Sequence, residues 1–320
     1  MKLTPSVNTL ICGSLAYDTL MSFPDCFSES ILADQLHNIN VCFLVPSMRK
    51  EFGGCAGNIA YNLKMLGGAP LIMATIGSDG EPYLERLAEL DVSTRYITTI
   101  KKSFTAQAFI TTDRKNNQIT AFHPGAMSYA HQNRLTHIDH DIRLAIVAPD
   151  GREGMLQNAE DCALKGIPFI FDPGQGLPMF SREELRRFIE LATYVTVNEY
   201  EAAMLSQQTG WTAAEIASRV NALIVTQSEN GVRIHSTTAE RLEIPGIPAE
   251  RIIDPTGCGD AFRAGLIYGL TNGLDMATCG RLGNLMGSIK IAWQGPQTHS
   301  LSAREIADRF ENIFGYRYAA

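Results

Sequence analysis

The sequence predicts an α/β fold, with a mainly parallel central sheet covered by helices and a small β-sheet lid attached to it. Three observations predict it: short apolar runs recur along the chain, amphipathic stretches at helical spacing follow most of them, and two β-rich regions interrupt the alternation. The runs at 10–12, 71–76, 144–148, 168–171, 194–197 and 223–226 read as buried strands. The stretches at 58–66, 83–90, 183–191 and 212–220 place apolar side chains on one helical face, so strand and helix alternate around the sheet. Such sheets bind ligands at the carboxyl ends of their strands. After Thr256 the pattern is helical, through 260–268, 276–293 and 303–314.

The interruptions lie at about 19–52 and 104–126, where β-rich segments at 104–112 and 118–122 flank a polar turn at 113–117. They are expected to form one lid assembled from separated pieces of chain, the alternative being surface hairpins that only cover the core. No internal repeat or low-complexity linker divides the chain, so residues 1–320 are read as a single domain with the lid as an appendage.

Composition narrows the function classes. Of 320 residues 45% are hydrophobic and 19% charged, as in ordinary water-soluble globular chains, so a sizeable core is available. The net charge of −7 lacks the broad basic footprint of a polymeric nucleic-acid binder, yet leaves room for a phosphate held by converging N–H groups. Seven cysteines, at 12, 26, 42, 55, 162, 258 and 279, form no Cys-x-x-Cys pair and fit a reduced cytoplasm. The first eight residues lack the basic start and apolar run of a leader, and no stretch has the ~18 apolar residues of a membrane span.

The chemistry concentrates in Asp254, Pro255, Thr256, Gly257, Cys258, Gly259 and Asp260, between a β-like segment and a long helix. Gly257 and Gly259 permit a sharp turn and close approach of a ligand, and the first helical N–H groups then face an anion. Asp260, in the first turn, is placed to take a proton from a hydroxyl held beside that cradle. Taken alone, the stretch equally fits a tight turn whose Asp260 complements the helix dipole. A second cluster, Gly53, Gly54, Cys55, Ala56, Gly57 and Asn58, opens another helix, where small residues admit a sugar and Asn58 offers a donor and an acceptor. Close helix–strand packing is the alternative there. Ser14 and Asp18 follow the first strand, and Asp18 suits two vicinal sugar hydroxyls, although a lone loop Asp is usually a solvated turn residue.

Together these residues resemble the ribokinase-like (PfkB) carbohydrate kinases, whose signatures are the Gly-Gly…Gly-Asn segment, here 53–58, and the Asp-Thr-x-Gly-x-Gly-Asp-type segment, here 254–260. Pro255 and Cys258 occupy its variable positions. Asn198, Glu199, Tyr200 and Glu201 match the family's Asn-x-x-Glu motif. The resemblance implies a three-layer fold and transfer of phosphate from ATP, with Gly257, Cys258, Gly259 and Asp260 at the transferred group and Thr256 beside the nucleotide. It also implies magnesium held through water by Asn198 and Glu201, with Thr226, Gly231 and Asn284 near ATP. Within the family the chain looks most like bacterial adenosine kinases, on 122–128, 172–175 and 260–265. That likeness implies adenosine phosphorylated to AMP, with Ser14, Asp18, Gly53, Gly54 and Asn58 on the ribose side and Phe122 and Gln175 near the nucleoside. A core aromatic and a loop amide are the plain alternatives for the last two.

The segment 293–297 loosely matches the place where many relatives hold a potassium ion, which leaves potassium activation open. Relatives also imply a homodimer paired through lid edges. Two rivals share the same residues: a broader nucleoside or sugar kinase, and a nucleoside or sugar sensor without transfer, against which the intact Asp260 speaks. A dinucleotide-binding dehydrogenase is disfavoured, because no Gly-x-Gly-x-x-Gly follows the first strand.

Overall fold

The computed structural model describes residues 8–31, 37, 40–236 and 241–318. The start of the chain read above for a leader, and parts of the first lid region at 32–36 and 38–39, lie outside the described residues.

In chain order the elements are β1 (Asn8–Cys12), β2 (Ala16–Ser22), the short α1 (Phe27–Ser30), β3 (Ser47–Gly53), α2 (Cys55–Met65), β4 (Ala69–Gly77), α3 (Glu81–Glu89) and β5 (Ser93–Ile100). Then come β6 (Ala106–Thr112), β7 (Gln118–His123), β8 (Leu144–Val147), α4 (Arg152–Lys165), β9 (Phe169–Phe171), α5 (Arg182–Leu191), β10 (Tyr194–Asn198), α6 (Glu199–Thr209) and α7 (Ala213–Ala217). The last are β11 (Ala222–Thr226), β12 (Val232–Ser236), β13 (Leu242–Ile244), α8 (Cys258–Thr271), α9 (Met276–Lys290) and α10 (Ala303–Phe314).

Among the described residues nine strands form the main sheet in the order β13-β12-β11-β10-β9-β8-β1-β4-β5. Neighbours from β5 to β11 pair in parallel, and among the described residues only β12 is reversed, pairing antiparallel with both β11 and β13. Side chains along its inner strands alternate between two cores, because successive residues of a strand point to opposite faces. Leu10 and Cys12 join Ala145, Val147, Phe169 and Phe171 under α4 to α7, whereas Ile11, Ile146 and Ile170 join Ile59, Leu63, Phe262 and Ile267 of α2 and α8. Hence three layers form, and the runs that looked uniformly apolar did so because both faces are covered.

The order of strands reverses between β1 and β8, which opens a crevice at their carboxyl ends. There the Ser14 N–H donates to Pro149 O at 3.1 Å. β2, leaving this point, starts the lid, a four-stranded sheet in the order β3-β2-β6-β7. The turn predicted at 113–117 is held by the Asp113 carboxylate, which accepts from the N–H groups of Lys115 and Asn117 at 2.8 Å each. The sequence reading differs in several places. Strands β5, β12 and β13 escaped it, since β5 is largely exposed, β13 is short, and β12 alternates apolar with polar residues, so none forms an apolar run. The lid begins at Ala16, three residues earlier than expected. The β-like segment expected before Asp254 ends earlier, at β13, and Ile253 and Asp254 donate instead to Ile291 O beyond α9.

Candidate active site

Asp18 is a strand residue of the lid, not a loop residue. Register places Glu51, Asp18, Ala108 and Phe122 in one row across β3, β2, β6 and β7. Residues directly opposite one another share a face, so Phe122, 51% exposed, stands on the side of Asp18 two strands away, roughly 10 Å. Gly53 makes room for the carboxylate: a Cβ there would lie 2.4 Å from Asp18 Oδ2. Burial, with Glu51, Asp260 and Asp254 nearby, pushes the Asp18 pKa up to about 6.

Across the crevice, α8 begins at Gly257, whose φ of 80° belongs to the left-handed region that glycine tolerates. A Cβ at that position would also come within 2.8 Å of Pro296 Cβ. No side chain caps this helix, and among the described residues the N–H groups of Gly257, Gly259 and Asp260 meet no acceptor. Three open donors at a helix start form an anion cradle. One expectation changes here: the Cys258 N–H donates to Pro255 O at 3.1 Å, so it is not a cradle donor. Burial also pushes its thiol up to about 11, which keeps the sulfur protonated.

Asp260 lies on the floor of the crevice with partial access to solvent. Asn58 Nδ2 donates to its Oδ2 at 2.8 Å, so the two glycine-led helices meet at the carboxylate. Burial raises the Asp260 pKa, while Arg263 and the Asn58 hydrogen bond pull it back. Arg263, one helical turn beyond Asp260, is buried and ion-paired with Asp172, its Nη2 donating to Oδ1 at 2.6 Å. Burial lifts Asp172 to about 6 despite this partner.

A second tier escaped sequence reading. Gln297 Nε2 donates to Asn58 Oδ1 at 3.0 Å and to the Tyr83 hydroxyl at 2.9 Å, and that hydroxyl donates to Gly53 O at 2.7 Å. These bonds fix the amide of Asn58 so that its NH₂ faces Asp260. Only the tertiary structure joins residues more than two hundred positions apart, and no local pattern announces them.

Ser14 is committed to α2: its Oγ accepts from the Cys55 N–H at 3.2 Å and its carbonyl from the Ala56 N–H at 3.0 Å. Gln175 lies exposed in the 3-10 turn Gly174–Met179 that follows Asp172. Asn198 and Thr226 are register partners at the ends of β10 and β11. Asn284 Nδ2 donates to Pro245 O at 3.0 Å, and Gly231 packs its backbone against Ile244 and Gly246, so these two gather at the segment that follows β13. Thr256 contributes its N–H to Asp254 Oδ1 at 2.9 Å.

Asn198 and Glu201 form a capping box, each side chain accepting from the other's N–H at 2.8 Å. One oxygen of each is thereby spent. Among the described residues no three His, Cys, Asp or Glu gather to ligate a metal. The free Glu201 oxygen and the Asn198 amide fit a magnesium ion only through its waters, in keeping with an ion that needs few protein ligands. No helix among the described residues is long and apolar enough to cross a membrane.

An anion cradle with a carboxylate at its floor, on an open parallel sheet bearing a lid, defines a phosphotransferase that acts on an alcohol. Residues 16–304 match the model of the pfkB family carbohydrate kinases, and the chain belongs to that family. A nucleoside kinase of Methanocaldococcus jannaschii is 32% identical over 274 residues, 85% of this chain and 89% of the relative. The structure of Burkholderia thailandensis nucleoside kinase in complex with inosine is 56% identical, with a TM-score of 0.88, over 97% of this chain and 99% of that one. The same Burkholderia enzyme in complex with ADP-inosine superposes with a TM-score of 0.85 over 97% of each chain.

Proposed function

We propose that the protein transfers the γ-phosphoryl group of ATP to the ribose 5′-hydroxyl of a purine nucleoside, adenosine with inosine as the nearest alternative. The observation that carries this reading is the Asp260 carboxylate, oriented by Asn58 at 2.8 Å and bordered by the open N–H groups of α8. Asp18 accepts the vicinal ribose hydroxyls, and Asn58 aligns the 5′ end. Asp260 takes the hydroxyl proton as the oxygen attacks, and the N–H groups of Gly257, Gly259 and Asp260 stabilise charge on the transferred oxygens. Magnesium, when bound with ATP through the waters of Asn198 and Glu201, neutralises phosphate charge. Closure of the lid over the crevice excludes water and so suppresses hydrolysis.

A nucleoside is favoured over a free sugar by Phe122, whose place in the Asp18 row suits a base stacked beyond the ribose. The names of the relatives support the same choice and leave the base open. The test is a phosphorylation screen with ATP and adenosine, inosine, guanosine, cytidine, ribose or fructose. Purine nucleosides are expected to give 5′-monophosphates fastest. Preference for ribose or fructose would replace the nucleoside reading, and tight binding without any product would revive the sensor.

A further inference from the structure

Lys290, the last residue of α9, is fully buried, with 0% of its surface exposed. Its Nζ donates to Asp254 O at 2.7 Å and to Trp293 O at 3.1 Å, which are main-chain carbonyls of two separate segments. One segment is the entrance to α8. The other, 293–297, lies alongside it, since the Gly295 N–H donates to Asp254 Oδ2 at 2.8 Å and Pro296 abuts Gly257. Lys290 therefore ties together both walls of the anion cradle. A buried ammonium is costly beside an apolar side chain of the same shape, so packing alone does not account for it. Burial pulls its pKa down, and Asp254, Cys258 and Glu51 oppose that pull. His299, the other titratable group facing it, is held down to about 4 by burial and by this charge, so it is neutral and does not repel the ammonium.

We propose that the Lys290 ammonium is a built-in replacement for a monovalent cation beneath the anion cradle, so that phosphoryl transfer by this enzyme requires no potassium. The ammonium, bonded to main-chain carbonyls of both segments, holds them in register and sets a positive charge beside the cradle, which is the work a monovalent cation at the same carbonyls would do. The residues present do not fit the ion itself. Asp254 O and Trp293 O already accept from an ammonium, and a second cation at the same carbonyls meets a like charge at close range. Lys290 is thus a positioning residue, acting through Asp254 and the N–H groups of α8.

The inference rests on the phosphoryl-transfer reading above and deepens it. The test is the steady-state rate of the full chain with ATP, magnesium and adenosine or inosine in potassium, sodium or tetramethylammonium chloride at equal ionic strength. Wild-type rates are expected to agree within about twofold, because only nonspecific screening differs little among these salts. Lys290→Ala, which empties the space between the carbonyls, is expected to lose about tenfold or more in kcat, with a smaller change in nucleoside KM. Potassium or rubidium should restore much of that loss, and tetramethylammonium should not. Lys290→Met fills the space without charge and should lose rate that no salt restores, a pattern that a purely structural role does not produce. Several-fold activation of the wild type by potassium overturns the proposal, as does a folded Lys290→Ala protein that is fully active or is not restored by potassium. If neither variant folds, the wild-type comparison decides alone. Absence of phosphorylated nucleoside in every salt is a different result, since it removes the proposed function itself.

Discussion

Two helices begin near the carboxyl edge of the main sheet in opposite ways. α6 starts with Asn198 and Glu201 closed on each other, a side chain filling the first N–H groups, and α5, α7 and α10 start alike with Ser181/Glu184, Thr212/Glu215 and Ser302/Glu305. α8 starts at a left-handed glycine with no side-chain cap and three N–H groups open. Every helix start leaves such donors, and an ordinary one satisfies them from its own sequence. The open donors of α8 are the ones the proposed phosphoryl transfer would use. The comparison also tempers the Asn-x-x-Glu motif: its pattern and bond lengths are those of a structural cap, and only its place beside Thr226 at the strand ends separates it from the others.

The sharpest way to exploit this difference is to remove the α8 carboxylate proposed as the base. Asp260→Asn should keep the fold and the Asn58 neighbourhood while kcat falls about 10²–10⁴-fold, the range of general base catalysis. Near-normal turnover in a folded variant would remove Asp260 from that role. Next in size, Gly257→Ala puts a Cβ against Pro296 and strains a φ of 80°. It should cost about 1–3 kcal/mol in denaturant unfolding and about tenfold or more in kcat, because the open donors move. A stable protein with unchanged kcat would show that the shape of this entrance is immaterial.

On the lid side, Asp18→Ala should raise the nucleoside KM about tenfold with less effect on kcat, as expected for a lost charged hydrogen bond. The ionised carboxylate is the form that accepts two hydroxyls. Its pKa is raised to about 6, so protonation begins at a higher pH than for an ordinary carboxylate, and the wild-type KM should climb as pH falls through that value. A KM that stays flat across this range, or that keeps the same pH dependence in Asp18→Ala, would argue against the contact. The smallest effect concerns the caps. Glu201→Gln and Glu184→Gln should each lose about 0.5–1 kcal/mol of stability by thermal or denaturant unfolding. Only the Glu201 variant should shift the magnesium dependence of the rate, and identical behaviour of the two would reduce Asn198 and Glu201 to a cap.

Much of the fold was legible because its signals are local. The apolar runs of β1, β4, β8, β9, β10 and β11 lie between helices on both faces, so burial itself wrote them as runs. The polar turn at 113–117 carried its own stabilising carboxylate, Asp113. β5, β12 and β13 were hidden, since β5 is largely exposed, β13 has three residues, and β12 alternates Val232 and Ile234 with polar side chains instead of forming an apolar run. In the site, the glycines and acids of 53–58 and 254–260 stood out by type and spacing. The helix cap made by Ser14, the row through Glu51, Asp18 and Phe122, and the brace from Gln297 to Asn58 did not.

By itself, then, the sequence determined the layered α/β architecture, the glycine-led entrance of α8 and the identity of its carboxylate, because periodicity, turn chemistry and helix starts depend on neighbours in the chain. The tertiary structure alone decided which N–H groups remain open, that Arg263 turns inward to Asp172, and that Lys290 lies under the cradle. Those facts depend on which distant groups compete for the same donors and acceptors once water is excluded, and only the folded arrangement sets that competition.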